Sequence, residues 1–432
     1  MTRATVAAIK WRGRALAVGA IVLALAPGFL PAQTRTAGER WVTTWATAQQ
    51  LAPTRVAFGG RDQSPPPPAL ARIPSTLKDQ TVRMIARTSI GGSRVRVRLS
   101  NALDKPAVRV GAAHVALRST GAAIAPASDR VLTFGGRPST VVPPGAVVLS
   151  DPVDLVLPDL AEVAVSVYLP EDTGAPTIHP DGMHTAYIAQ GDATGTTRLN
   201  PVASTTSYLW LCAIDVLAPA NASVIVAFGD SITDGVGTTP DTDRGWPSLL
   251  AAKVSRTRSA DALSVVNVGL SGNRLLRHGF GVSALARFDR DVLSLAGVKW
   301  MIVLLGINDI TFPAVPGMPP TEAVTADDLI WGFKQIIERA HLHGIKVAGA
   351  TILPVEGVST YTENGEAIRQ AVNHWIRTGR AYDAVIDFDA AVRDRTNGKR
   401  LRSEFDPGDR VHPNDAGNEA MLATIDVAIF RR

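Results

Sequence analysis

Cysteine is nearly absent. Cys212 is the only one in 432 residues, which excludes an internal disulfide and any cysteine-rich metal site. It lies far from the leader, so it cannot serve as a lipid-carrying cysteine there. Inside the strand-like run 208–214 it reads as a small apolar filler. A strong excess of charge is lacking too. The formal net charge is +5, but Arg3, Lys10, Arg12 and Arg14 lie in the first 32 residues; without them it falls to +1. That gives no reason to expect a nucleic-acid partner. There is no internal repeat and no full phosphate-binding glycine motif. Gly235-Val236-Gly237 is the nearest glycine pair after an apolar strand, which argues against a nucleotide-binding protein.

What is present begins with the leader. Four cations precede the apolar run 15–26, followed by Pro27 and the small residue Ala32. This is the pattern of a signal peptide over 1–32. The run is too short for a membrane-spanning helix, which needs about 20 apolar residues. The expectation is a secreted or periplasmic protein without a stable membrane anchor. A hydrophobic content of 46% supplies a full core for the remainder.

Residues 36–218 read as a β-rich domain. Short apolar runs at 110–117, 146–149 and 162–169 are punctuated by Gly, Pro, Asp and Asn, which suggests an antiparallel sandwich or jelly-roll-like module. The runs 81–90 and 93–100, joined by Gly91-Gly92, predict a hairpin. Arg94, Arg96 and Arg98 alternate with Val95, Val97 and Leu99. The arginine stripe reads either as a solvated strand face or as a face for acidic polysaccharide. Ser64 and the four prolines after it predict a stiff surface loop.

The pattern changes near Ala218-Pro219-Ala220. Over 222–432 apolar strands, at 224–228, 264–270, 300–305, 346–353 and 384–388, alternate with helices. The helices are predicted near 246–256, 283–295, 326–343, 366–378 and 415–430, the third capped by Thr325 with Asp328. Alternation of this kind predicts a parallel sheet covered on both faces.

The chemistry-bearing residues sit at the ends of those strands. Val224–Phe228 runs into Gly229-Asp230-Ser231, a buried strand meeting a tight turn. A serine hydroxyl is a weak nucleophile and needs a base and oxyanion donors. Of eight histidines, His412 stands out, in a loop before the last helix with Asp409 three residues earlier. That spacing lets a carboxylate fix the ring's tautomer; it equally suits a structural cap or half of a metal site. Gly272 and Asn308 follow two further strands, where they read as turn residues or as donors to an oxyanion. Asp241, Arg244 and Trp246 follow the serine turn; they read as shaping a cleft, with Trp246 equally a core residue at a helix start.

Taken together, Gly229-Asp230-Ser231-Ile232, the Gly272 block, Gly306-Ile307-Asn308-Asp309 and Asp409-Arg410-Val411-His412 resemble the SGNH, or GDSL-type, hydrolases in order and relative place. Ile232 replaces the commoner leucine. The resemblance covers 228–412. It implies a flavodoxin-like three-layer α/β/α domain and ester hydrolysis without a metal or organic cofactor. It implies Ser231 as nucleophile, His412 as base, Asp409 as its orienting group, and Ser231, Gly272 and Asn308 as the oxyanion hole. The front half, with Trp41-Val42-Thr43-Thr44-Trp45, resembles secreted bacterial esterases carrying a β-rich domain before the SGNH domain. Some of these are carbohydrate acylesterases or arylesterases. The expected substrate is therefore a small-molecule or polysaccharide ester with a short acyl group. The alternatives are a lipase, lysophospholipase or thioesterase with the same machinery, and a glycan-binding protein with an inactive SGNH domain. The loop 311–320, with four prolines, reads as rigid and argues against an apolar lid.

Overall fold

Five strands build one parallel sheet in the spatial order Leu263–Asn267, Ser223–Gly229, Val298–Leu304, Lys346–Ala350, Ala384–Ile386. In chain order this is 2-1-3-4-5, the flavodoxin-like arrangement. Consecutive residues Val224, Ile225, Val226, Ala227 and Phe228 are all at most 1% exposed, so both faces of the sheet are covered. A continuous apolar run is what such burial requires. The coordinates are a computed structural model that describes residues 38–51, 57–58, 61–62, 73–103, 106–257 and 261–431. The expected leader and the proline run 64–68 lie outside them.

Helices Trp246–Arg256, Ala326–Leu342 and Glu363–Thr378 match the sequence reading closely. Thr325 and Asp328 form a reciprocal capping box, with Thr325 Oγ1 accepting the Asp328 N–H at 3.1 Å and Asp328 Oδ2 accepting the Thr325 N–H at 2.8 Å. Two predicted helices are shorter than expected. The helix predicted over 283–295 is regular only across Ala284–Phe288 and widens into a π turn at Asp289–Leu293. The last helix stops at Ala423, and a 3-10 turn follows at Val427–Arg431. At the helix end Thr424 Oγ1 donates to Met421 O at 2.7 Å, and Asp426 Oδ1 then accepts the Ala428 N–H at 2.9 Å as the 3-10 turn opens.

The front half contains two larger antiparallel sheets. One joins Glu39–Ala46, Leu211–Pro219 and Gly92–Ser100, with Val147–Leu149 and Val153–Leu157 beside the last. The other joins Ala203–Thr205, Ala186–Gln190, Gln80–Arg87, Glu162–Leu169, Ala112–Leu117 and Arg130–Val131. Val95, Val97 and Leu99 of the first share one apolar cluster with Val82, Met84, Val163 and Val165 of the second. This is a β-sandwich.

The predicted hairpin is not formed. Gln80–Arg87 and Gly92–Ser100 lie in different sheets, and Gly91-Gly92 carries the chain across between them. A Cβ on Gly91 would lie 2.1 Å from Leu157 O, and one on Gly92 2.6 Å from Leu217 O. The glycines are there for close backbone approach, not for a hairpin turn.

The arginine stripe is not a uniformly solvated face. Arg96 and Arg98 both bind Asp215, at 2.8 and 2.7 Å, and the Asp215 side chain is 0% exposed. Arg98 also donates to Ser294 O at 2.8 Å, in the α/β half. Arg94 pairs with Asp154 at 2.8 Å.

Both halves belong to one compact unit, Gly38–Arg432. Strand Leu263–Asn267 is the edge of the parallel sheet, and its Val265 N–H donates to Ser89 Oγ at 2.7 Å. Thr43 bridges the halves as well: its N–H donates to Ala296 O, and its carbonyl accepts from Ser264 Oγ at 2.8 Å. The sandwich thus covers a sheet edge that would otherwise be open to pairing. Among the described residues, no helix is long and apolar enough to cross a membrane.

Candidate active site

Strand Ser223–Gly229 ends at the sheet's carboxyl rim and turns directly into a one-turn helix, Ser231–Asp234. Asp230 caps it, Oδ1 accepting the Ile232 N–H at 3.1 Å. The turn presents Ser231 at the rim. Ser231 is 7% exposed and lines a cleft of about 400 Å³. Burial pushes the Asp230 carboxyl up to about 7 against the opposing pull of the Ile232 N–H. Its second oxygen, Oδ2, is buried without a hydrogen-bond partner.

His412 reaches this serine from a loop 181 residues later in the chain. Its Nε2 lies 2.8 Å from Ser231 Oγ, and its Nδ1 lies 2.6 Å from Asp409 Oδ2. A carboxylate on Nδ1 holds the proton there and leaves Nε2 free to accept from the hydroxyl. Asp409 Oδ1 in turn accepts the backbone N–H groups of Val411 and His412, each at 2.9 Å. Partial burial pushes the Asp409 carboxyl up. The His412 ring and the two backbone donors outweigh that, bringing it down to about 2. The carboxylate is therefore charged across the neutral range.

Carboxylate pairing alone does not single out His412. His114, His179, His184 and His341 also sit 2.8–3.0 Å from aspartates. What distinguishes His412 is the serine on its other nitrogen.

Gly272 and Asn308 line the same cleft as Ser231 and His412. Gly272 has φ +69°, and an added Cβ would strike the Phe280 ring at 2.3 Å, so a side chain here would disturb the loop. Asn308 Nδ2 donates to Asn273 O at 3.0 Å, which steers the amide and leaves it a second N–H. The five residues singled out in the sequence are thus gathered at one place.

Two bracing residues lay beyond the sequence reading. Arg287 is 1% exposed, and its guanidinium donates to Gly229 O, Val268 O and Asn273 Oδ1 at 2.8, 2.8 and 2.9 Å. It ties the serine strand to the Gly272 loop, with Asp291 at 3.0 Å balancing its charge. Asp309 accepts the N–H groups of Leu275 and Leu276 at 2.6 and 3.1 Å, holding the same loop from the Asn308 side. Burial lifts its carboxyl to about 6. The helical pattern around Arg287 gave no sign of these bonds. Asp309 had a signal in its place directly after Asn308.

The β-rich half also reaches the cleft, through Gln50, Pro180 and Asp181. It grips the serine helix too. His179 Nδ1 donates to Ala48 O at 2.8 Å, and Nε2 lies 2.8 Å from Asp234 Oδ1. Both groups are buried. Burial pushes the imidazole down, but Asp234 outweighs it and the ring is raised. Asp241 and Arg244, expected to shape the cleft, instead bind Thr185 and Glu419 at 2.7 Å. Trp246 is a core residue, 0% exposed and 5.4 Å from Phe388. A smaller, more polar cavity of about 90 Å³ is lined by His179, His184, Asp234 and Asp243; neither Ser231 nor His412 lines it.

Residues 227–420 match the GDSL-like lipase/acylhydrolase family. No curated protein matches the chain. Similar solved structures include a GDSL-like lipase from Bacteroides thetaiotaomicron, at 20% identity over 48% of this chain and 88% of that one, TM-score 0.36. An acetyl xylan esterase from Geobacillus stearothermophilus has 21% identity over 47% and 92%, TM-score 0.37. An α/β hydrolase from the metagenome of Lake Arreo has 21% over 48% and 95%, TM-score 0.39.

Proposed function

We propose, from the premise that residues 227–420 belong to the GDSL-like lipase/acylhydrolase family and that the chain is a carboxylic ester hydrolase, that Ser231 is its nucleophile. His412 takes the Ser231 proton as Oγ attacks the ester carbonyl, and Asp409 stabilises the imidazolium that forms. The Ser231 and Gly272 N–H groups and the Asn308 amide receive the oxyanion; one such donor is worth about 3 kcal/mol in the transition state. His412 returns the proton to the departing alcohol. Water, activated by the same ring, then releases the acyl group from Ser231. The observation that carries this reading is the pair of contacts on one ring, 2.8 Å to Ser231 Oγ and 2.6 Å to Asp409 Oδ2.

The substrate proposed is an O-acyl ester with a short acyl group, on a carbohydrate or an aryl alcohol. The protein is proposed to leave the cytoplasm by its leader, where four cations precede a short apolar run. One observation favours a second reading, a longer acyl chain: Val236, Phe280, Phe312, Val355 and Val411 give the cleft a largely apolar lining. Acetyl and decanoyl aryl esters separate the two by their relative kcat/KM. Ser231→Ala tests the mechanism. It should lower kcat on phenyl acetate by about 10⁴-fold or more with an unchanged Tm. Retained turnover would reject the assignment.

A further inference from the structure

The cleft has a wall that the α/β half does not build. Strand Gln50–Leu51 pairs with Thr177–His179, which pairs with Tyr208–Leu209, a small sheet of the β-rich half. Gln50 on the first strand and Pro180-Asp181, just beyond the second, line the cleft with Ser231 and His412. Their placement is fixed. His179 joins Ala48 to Asp234 of the serine helix, and Ser207 Oγ donates to Pro180 O at 2.8 Å.

Gln50 is 4% exposed, yet its Oε1 is buried without a hydrogen-bond partner. It stands over Gly281, where an added Cβ would lie 3.0 Å away. Buried polar atoms are nearly always paired, so an unpaired acceptor on a residue that lines the cleft calls for a donor, which a turn of the Gln50 amide would let the substrate supply. Asp181, half-buried on the same cleft, contributes a carboxylate, which also only accepts when ionised. A hydrocarbon chain would leave both without donors. Hydroxyl groups satisfy both.

We propose that Gln50 and Asp181 are specificity-determining residues that accept hydrogen bonds from free hydroxyls on the alcohol portion of the ester. The β-rich half is then the alcohol-binding wall of the site, and the substrate class is a partly acylated polyol or sugar. This rests on the ester-hydrolase mechanism above.

The test compares two acetates whose alcohols differ in hydroxyls but not in ring size: monoacetylated methyl xylopyranoside and cyclohexyl acetate. The wild-type protein should prefer the hydroxylated substrate in kcat/KM. In Gln50→Leu and in Asp181→Ala that selectivity ratio should fall at least tenfold. A ratio within twofold of wild type in both variants would overturn the proposal, whatever happens to absolute rates. Asp181 is half-buried at the cleft, so Asp181→Ala decides the matter if Gln50→Leu fails to fold. A wild-type protein that hydrolyses neither acetate nor phenyl acetate would instead count against the hydrolase mechanism.

Discussion

Ser231, Gly272 and Asn308 each lie within five residues of a parallel strand's end, so the α/β half carries its site in short motifs even though Ser231 and His412 stand 181 residues apart. The β-rich half has long-range contacts without such motifs. Asp215 meets Arg98 across 117 residues and Thr43 across 172, and His179 meets Ala48 across 131. In a parallel sheet, each strand delivers its following loop to the same rim, so short motifs suffice. In an antiparallel sandwich, register and pairing decide what a residue touches, and sequence neighbours say little about either.

The contrast can be broken most sharply at the triad. Asp409→Asn should lower kcat by about 10³–10⁴-fold with little change in Tm, because the ring loses the partner that fixes its tautomer. Asp409 is charged down to about pH 2, so its own titration should not shape the activity profile at neutral pH.

Buried charges compare the halves next. Arg287→Met strips donors from Gly229 O, Val268 O and Asn273 Oδ1 and leaves the buried Asp291 to Arg290 alone; Asp215→Asn takes from Arg96 and Arg98 the carboxylate they share. Each should cost about 3–5 kcal/mol in denaturant unfolding. Arg287→Met should also reduce kcat/KM per folded molecule, since Arg287 ties Gly229 to the Gly272 loop. Asp215→Asn should not. Equal losses of activity would contradict the role of Arg287 in bracing the site.

Asp230 provides a pH test. Its folded carboxyl is raised to about 7, while an ordinary aspartate titrates near about 4. The folded protein therefore keeps a proton that the unfolded chain releases. That stabilising contribution is complete below about pH 4 and is lost as pH rises through about 7. Asp230→Asn keeps an acceptor for the Ile232 N–H and has no charge to bury. Its Tm relative to wild type should rise between pH 5 and pH 8. A constant difference would contradict the assignment. The smallest effect belongs to the surface cap: Thr325→Ala should cost about 1 kcal/mol and leave kcat/KM unchanged.

These differences explain what was legible. The parallel sheet was readable because its strands are continuous apolar runs. Ser231 and His412 could be singled out because a serine nucleophile calls for a base of that residue type, and Asp409 because it stands three residues before His412. The Gly91-Gly92 link was misread because two glycines signal either a hairpin turn or a close backbone approach. Only the neighbouring Leu157 and Leu217 backbones decide between them. The pairing of Arg96 and Arg98 was not legible because Asp215 lies far along the chain. Gln50 carried no motif; its interest comes from an unmade bond that only a folded cleft reveals.

The most direct measurement is covalent labelling by a serine-directed phosphonate, read by peptide mass spectrometry. If the sheet rim assembles a working nucleophile and base, one equivalent should attach at Ser231, and His412→Gln should slow attachment at least a hundredfold. No labelling of the folded protein, or equal labelling of the Ser231→Ala variant, would contradict it.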